Sequence, residues 1–410
     1  MEDVRRHVQN QRNLSTTPPP AKTTSNLGAE MTFIVLTVIM LAGLIGPLLA
    51  YPQGWHVPVV IGELFVGVVL GRTGLSYLDA TDPTFSFLAE VGFGLVMFVA
   101  GTHVPVRDPS LQGSLGRGTA RAVLVGAGSA VLGVLLAWAF GTGHAALYAV
   151  LMASSSAALI LPIIDSLQLH GERVLQLLPQ VAIADAVCII ALPLAIDPAH
   201  VGRAGLGALT VIGTGAALFF VLRWVEAHGY RHRLHHVSEE RHFALELRIS
   251  LGILFSLAAV AGRSHVSVML AGFVFGLVVS AIGEPRRLAR QLFAVTEGFF
   301  APLFFVWLGA SLDLRALGTR PTLILLGLLL GVGALLSHCL ARLSGLPLSL
   351  SSLAAAQLGV PVAAATLGTS LHVLQPGESA ALILGALVTI AVATVAGGSA
   401  ARGQRATAPG

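Results

Sequence analysis

Long apolar runs recur along this chain from Met31 to about residue 397. A helix needs about 20 predominantly apolar residues to cross the hydrocarbon core of a bilayer, and these runs reach or approach that length repeatedly. We therefore predict an all-α polytopic membrane protein with about thirteen transmembrane helices. The predicted spans are 31–50, 57–71, 84–102, 119–140, 144–165, 174–197, 205–224, 243–261, 265–282, 292–312, 322–341, 348–372 and 379–397.

The composition supports a membrane protein and argues against other classes. Of the 410 residues, 55% are hydrophobic and only 11% are charged, whereas a soluble domain has about 25% charged residues. So few charges exclude a disordered chain, a secreted disulfide scaffold and a nucleic-acid partner. The formal net charge of +4 comes from arginines scattered between the apolar runs, which suits cytoplasmic loops and lipid headgroups.

The chain divides into one large membrane domain and two short ends. Residues 1–30 are polar and contain consecutive prolines at 18–20, which predicts a disordered polar tail. Residues 31–397 form the transmembrane domain, and residues 398–410 form a short C-terminal tail. More arginines lie on the inner side when the N-terminus is outside. We therefore predict a multi-pass protein of the cell membrane with a cytoplasmic C-terminus.

Two of the predicted spans contain polar residues near the centre, followed by Pro162 in one and by Pro361 in the other. The polar residues are Ser154, Ser155 and Ser156 in the fifth span and Gln357 in the twelfth. Proline removes a backbone donor, and broken backbone is tolerated in lipid only where it is buried in protein or lines a cavity. Either span alone is equally typical of close helix packing. As a pair in two halves of the chain, they indicate the interrupted helices of a transporter.

Asp185 stands out because no other charged residue lies within ten positions of it, and it falls near the middle of span 174–197. An ionised carboxylate at that depth costs at least ~2.5–3.5 kcal/mol, so this group should be protonated or paired with a cation. A residue that alternates between these two states is the minimum needed for proton exchange. The alternative is a structural Asp satisfied by a neighbouring helix. The other span acids, at Glu63, Glu90, Glu246 and Glu297, lie nearer the span ends, where interfacial or structural roles are expected.

The order and spacing of several segments resemble the monovalent cation/proton antiporter superfamily, of the sodium/hydrogen exchanger type and its bacterial CPA2-like branch. The similar segments are 57–71, 88–101, 154–157, 268–276 and 299–309, together with Asp185. The resemblance implies an NhaA-like antiporter fold with two inverted repeats, two interrupted and crossed helices, a homodimer and alternating access. It implies that Asp185 binds the cation and the proton. The residues expected to support the cation are Ser154, Ser155 and Ser156, with Gln180 and Gln357 as further core support.

The sequence departs from the family pattern at three places. Ala184 replaces a polar residue before the aspartate, Gln180 replaces a glutamate of some members, and the stretch 330–336 lacks the Lys or Arg of many members. Because both the acidic and the basic partner are missing, neither is left as an unpaired buried charge, and one buried titratable acid remains.

The resemblance implies a secondary transporter, not an enzyme, that exchanges Na⁺ or K⁺ for H⁺, and the single remaining acid predicts that this exchange is electroneutral. We expect no cofactor and no resident metal ion. A non-transporting or regulatory membrane protein, or an exporter of an organic cation, is the alternative on such a scaffold. An intramembrane protease is disfavoured because Asp185 lacks the expected motif and a second central acid.

Overall fold

The computed structural model describes residues 31–51, 58–104, 109–198, 201–228, 245–264, 266–283 and 286–407. The polar tail predicted over residues 1–30 lies outside these residues. In the described part of the chain the regular elements are helices, which confirms the prediction of an all-α protein.

The first half of the chain contains nine α-helices within the described residues. They are α1 (Phe33–Gly43), α2 (Ile45–Ala50), α3 (Val59–Leu70), α4 (Pro83–Thr102), α5 (Pro109–Phe140), α6 (Ala145–Ala153), α7 (Ala157–Ser166), α8 (Glu172–Ile196) and α9 (Val201–Ala227).

The second half of the described chain adds nine more α-helices and two short helices of other types. The α-helices are α10 (Leu245–Arg263), α11 (Val268–Ile282), α12 (Arg286–Val295), α13 (Ala301–Ser311), α14 (Leu314–Thr319), α15 (Pro321–Cys339), α16 (Leu348–Ala354), α17 (Gly359–Ser370) and α18 (Glu378–Thr407). A π-helix (Thr296–Phe300) joins α12 to α13, and a 3₁₀-helix (Leu340–Ser344) follows α15.

Ten helical segments of the described residues are long and apolar enough to cross a membrane, judged by length and composition. Two shorter apolar helices, α3 and α11, accompany them, and span 144–165 is divided into α6 and α7. The number of about thirteen spans therefore stays a prediction. Helix α18 continues to Thr407, beyond residue 397, where the sequence placed the end of the last span.

Glycines set two of the closest helix contacts. A Cβ on Gly67 of α3 would lie 2.2 Å from the carbonyl oxygen of Val306 of α13, and a Cβ on Gly276 of α11 would lie 2.2 Å from that of Phe98 of α4. Only glycine permits such an approach, and small residues give membrane helices their close packing. The segments 57–71 and 299–309, and likewise 88–101 and 268–276, are therefore packing partners.

The two interrupted helices meet inside the protein. The break between α6 and α7 contacts the break between α16 and α17, because the N–H of Ser156 donates to the carbonyl oxygen of Ala356 at 2.8 Å. Ser154 ends α6 in an extended conformation, and its hydroxyl donates to the carbonyl oxygen of Leu151 at 2.9 Å. Serine side chains compete in this way with the helical backbone ladder, which explains why the chain breaks at this point.

Candidate functional site

Asp185 lies on α8 with only 4% of its surface exposed. One of its carboxylate oxygens accepts a hydrogen bond from the backbone N–H of Ala157 at 3.0 Å. Ala157 is the first residue of α7, where backbone N–H groups lack helical partners and the helix dipole favours an anion. Among the described residues no salt bridge joins Asp185 to a basic side chain. The carboxylate is therefore placed where a proton or a small cation could neutralise it.

The predicted supporting serines surround the same helix terminus. Ser154, Ser155 and Ser156 are all buried in the break that precedes α7. The hydroxyl oxygen of Ser154 also lies within hydrogen-bond distance of the side-chain amide of Gln357, so the structure brings Gln357 to the first break. The oxygen-rich break and the Asp185 carboxylate thus share one end of α7, and hard monovalent cations prefer oxygen ligands.

Gln180 lies on the same helix as Asp185 but outside this hydrogen-bonded group. Its side chain is fully buried, and neither its amide nitrogen nor its amide oxygen has a hydrogen-bond partner among the described residues. It packs towards α5, since a Cβ on Gly118 would lie 3.0 Å from the backbone nitrogen of Gln180. A supporting role for Gln180 stays a prediction.

His338 is a site residue that the sequence analysis missed. It lies on α15, is fully buried, and places Nε2 3.2 Å from the hydroxyl oxygen of Ser155. Its Nδ1 lies 2.9 Å from the carbonyl oxygen of Ala334 and must donate there, because a carbonyl only accepts. His338 lies just after the stretch 330–336 on the same helix, where the family resemblance implies a Lys or Arg. A titratable side chain inside an apolar span was the signal that could have found it.

The expectation that Asp185 would be the one buried acid is wrong. Glu63 on α3 is 3% exposed, and Glu378 at the start of α18 is fully buried. The Glu378 carboxylate accepts hydrogen bonds from His144 and Tyr148 at 2.7 Å each. The hydrogen bond to Glu378 raises the pKa of His144, which precedes α6. The sequence analysis placed Glu63 near a span end and did not single out Glu378, because burial depends on which helices pack together.

A cavity of about 930 Å³ lies beside the two breaks. Leu159 of α7 and Gly359, the first residue of α17, line its inner part. Glu63, Glu297 and His103 also line it. Among the described residues, no group of three or more His, Cys, Asp or Glu side chains lies close enough together to hold a metal ion.

The comparisons with known proteins agree with this architecture. The family model described as "Sodium/hydrogen exchanger, transmembrane" matches residues 32–401. The chain is 24% identical over 376 residues to "Putative Na(+)/H(+) antiporter YjbQ" of Bacillus subtilis (strain 168). This alignment covers 86% of this chain and 60% of YjbQ. It is 21% identical over 265 residues to "Na(+)/H(+)-K(+) antiporter GerN" of Bacillus cereus, covering 64% of this chain and 67% of GerN.

A solved structure extends the similarity to the fold. The sodium proton antiporter MjNhaP1 from Methanocaldococcus jannaschii, at pH 8, superposes with a TM-score of 0.64 at 16% identity. The superposition covers 90% of this chain and 96% of MjNhaP1.

Proposed function

Because the chain belongs to the sodium/hydrogen exchanger family, we propose that it is a secondary transporter that exchanges Na⁺ or K⁺ for H⁺. The observation that carries this proposal is the place of Asp185. Its carboxylate is buried, accepts the N–H of Ala157 at the first break, and has no salt bridge within the described residues. The relatives are named as a putative Na⁺/H⁺ antiporter, YjbQ, and a Na⁺/H⁺-K⁺ antiporter, GerN, and these names support the same substrates.

Competition for one carboxylate couples the two fluxes. Protonated Asp185 is neutral, so the site can change its exposure from one side to the other without moving charge. Deprotonated Asp185 binds the metal cation, assisted by hydroxyl and carbonyl oxygens of the break at 154–156. The bound cation cancels the charge and permits the return. The bare carboxylate does not cross, because an uncompensated charge in the membrane interior is costly. Exchange is therefore one cation for one proton and electroneutral.

The wider architecture belongs to the same proposal. We place the transport domain at 31–397, with α6–α7 and α16–α17 as the interrupted helices of two inverted repeats within about thirteen spans. The contact between the two breaks supports this arrangement. The family resemblance and the arginine distribution support a homodimer in the cell membrane with a cytoplasmic C-terminus.

Asp185→Asn tests the proposal. The variant keeps the size of the side chain and removes the group that takes up a proton, so cation-driven H⁺ flux in proteoliposomes should fall to the level of protein-free vesicles. The matched control is Glu90→Gln, which alters an exposed acid of α4 outside the cavity and should leave the flux unchanged.

The same vesicles test the stoichiometry. A potential imposed with a K⁺-selective ionophore, with Na⁺ as the transported cation, should leave the rate of the unaltered protein the same. Flux that persists in a folded Asp185→Asn protein would refute the role of this carboxylate, and clear acceleration by voltage would refute electroneutral exchange.

A further inference from the structure

The hydroxyl of Ser155 lies between two possible acceptors, one on α15 and one at the second break. Its oxygen is 3.2 Å from Nε2 of His338 and 2.8 Å from the carbonyl oxygen of Ala354. A serine hydroxyl carries a single proton, so it donates to one acceptor at a time. Which of the two receives this proton depends on the state of the imidazole.

The surroundings of His338 favour a neutral ring with a bare Nε2. The side chain is fully buried, and no salt bridge joins it to an acid in the described part of the chain. A buried charge without a partner of opposite sign is costly, so the ring carries one proton. That proton lies on Nδ1, which donates to the carbonyl oxygen of Ala334. Nε2 is therefore an acceptor.

Two buried acceptors thus depend on the one proton of Ser155. Ala354 is the last residue of α16, where carbonyl groups have no partner within the helix. Among the described residues, no other hydrogen bond reaches its carbonyl oxygen or Nε2 of His338. In either position of the proton, one buried acceptor is left without a donor, which is costly. A cation bound to the carbonyl oxygen would remove this deficit.

The second break is close to both the cavity and the first break. Leu358 and Gly359, which follow Ala354 in the chain, line the cavity of about 930 Å³. The N–H of Ser156 donates to the carbonyl oxygen of Ala356 at 2.8 Å, so the backbones of the two breaks touch beside Ser155. Oxygen ligands from both breaks can therefore meet near the N-terminus of α7, where Ala157 bonds to Asp185.

We propose that His338 is a positioning residue of the cation site, which accepts the proton of the Ser155 hydroxyl and so frees the carbonyl oxygen of Ala354 to bind the cation. Without the cation, the hydroxyl donates to Ala354. With the cation, it turns to Nε2 of His338, and the Ser155 oxygen and the Ala354 oxygen both face the metal ion. The inference rests on the proposed exchange for the identity of the cation, and it adds the second break to the ligands.

Substitutions of His338 test the positioning role in proteoliposomes. His338→Leu removes the acceptor and should raise the apparent KM for Na⁺ or K⁺ about tenfold, which corresponds to 1.4 kcal/mol, while the rate at saturating cation stays unchanged. His338→Gln supplies an amide oxygen that can accept the Ser155 proton, so it should keep the KM of the unaltered protein. The control is His228→Leu, the same substitution at an exposed position after α9.

A double substitution shows whether His338 acts through Ser155. In a Ser155→Ala background, His338→Leu should raise the KM no further, because no hydroxyl remains to be turned. Independent effects that multiply would overturn the proposal, since a general distortion of the core gives that result. An unchanged KM in His338→Leu would also overturn it. So would a lower KM, because it would mean that the ring is charged and repels the cation.

A binding measurement separates failure of this inference from failure of the proposed function. Na⁺ or K⁺ should stabilise the purified protein against heat, with choline at equal ionic strength as the reference, since a ligand that binds only the folded state stabilises it. The half-maximal cation concentration should rise about tenfold in His338→Leu and stay the same in His338→Gln. If the unaltered protein shows no exchange, the proposed function fails, while this measurement still decides the role of His338. Unaltered protein that neither cation stabilises, or equal concentrations in both variants, would overturn the inference.

Discussion

Removing the imidazole of His144 should destabilise the protein most at low pH. His144 donates to a carboxylate oxygen of Glu378 at 2.7 Å, with the two side chains 16% and 0% exposed. The same carboxylate accepts from the hydroxyl of Tyr148 and from the backbone N–H of Gln375. These bonds join the start of α6 to the start of α18, which lie 234 residues apart in the sequence.

The size of the effect follows from burial. Removing one partner of a buried ion pair costs about 3–5 kcal/mol, because the remaining charge is left uncompensated. In His144→Ala the Glu378 carboxylate keeps its two other donors but loses its cation. We therefore expect a loss within this range at low pH.

The pH dependence has a definite sign. The hydrogen bond to Glu378 raises the pKa of His144 in the folded protein above its unfolded value of about 6.5. The stability from the protonated pair is therefore fully present below that unfolded value and is lost as the pH rises through the higher folded pKa. The difference between the unaltered protein and His144→Ala should shrink over the same pH range.

Thermal unfolding of purified protein in detergent, followed by tryptophan fluorescence between pH 5.5 and 9.5, measures this difference. His170→Ala serves as the control, because His170 is exposed and lies away from Glu378. Unfolding curves of His144→Ala that run parallel to those of the unaltered protein at every pH would refute the reasoning.

Two further substitutions test the packing and the first break. Gly276→Leu should strongly reduce the yield of folded protein, by an overpacking cost of at least about 1–3 kcal/mol, because even a Cβ would lie 2.2 Å from the carbonyl oxygen of Phe98. The control Gly126→Leu should express normally, because a Cβ there meets nothing within 4 Å. Equal yields of the two variants would contradict the packing argument. Ser155→Ala removes the hydroxyl between His338 and Ala354 and should cost about 1–3 kcal/mol of stability and raise the KM for the cation. A Ser155→Ala protein as stable and active as the exposed Ser256→Ala variant would contradict this role.

The arrangement around Asp185 uses backbone groups as well as side chains. The N-terminus of α7 offers N–H groups to the carboxylate, and the end of α6 offers carbonyl oxygens within the same break. Backbone groups that leave the helical hydrogen-bond ladder in the membrane interior are tolerated only inside a protein or beside a cavity. The break therefore supplies a backbone donor to the Asp185 carboxylate, which has no salt bridge to a basic side chain among the described residues.

Much of the fold could be predicted from the sequence because transfer of apolar side chains into lipid is a local property of each segment. The apolar runs determined the helices, and the serines at 154–156 marked a real break in the chain. The isolation of Asp185 among apolar residues pointed to a buried carboxylate, and it is 4% exposed. Each of these features depends on residues within one or two turns of the chain.

The tertiary structure alone decided which of these segments meet. The contact of Ser155 with His338 spans 183 residues, and the hydrogen bond from Tyr148 to Glu378 spans 230 residues. Such pairings depend on glycine contacts such as Gly67 against Gly309, where the exact facing of two helices lets their backbones touch. Hydropathy records how strongly each segment prefers lipid but contains no information on its orientation about its own axis, and that orientation determines the site.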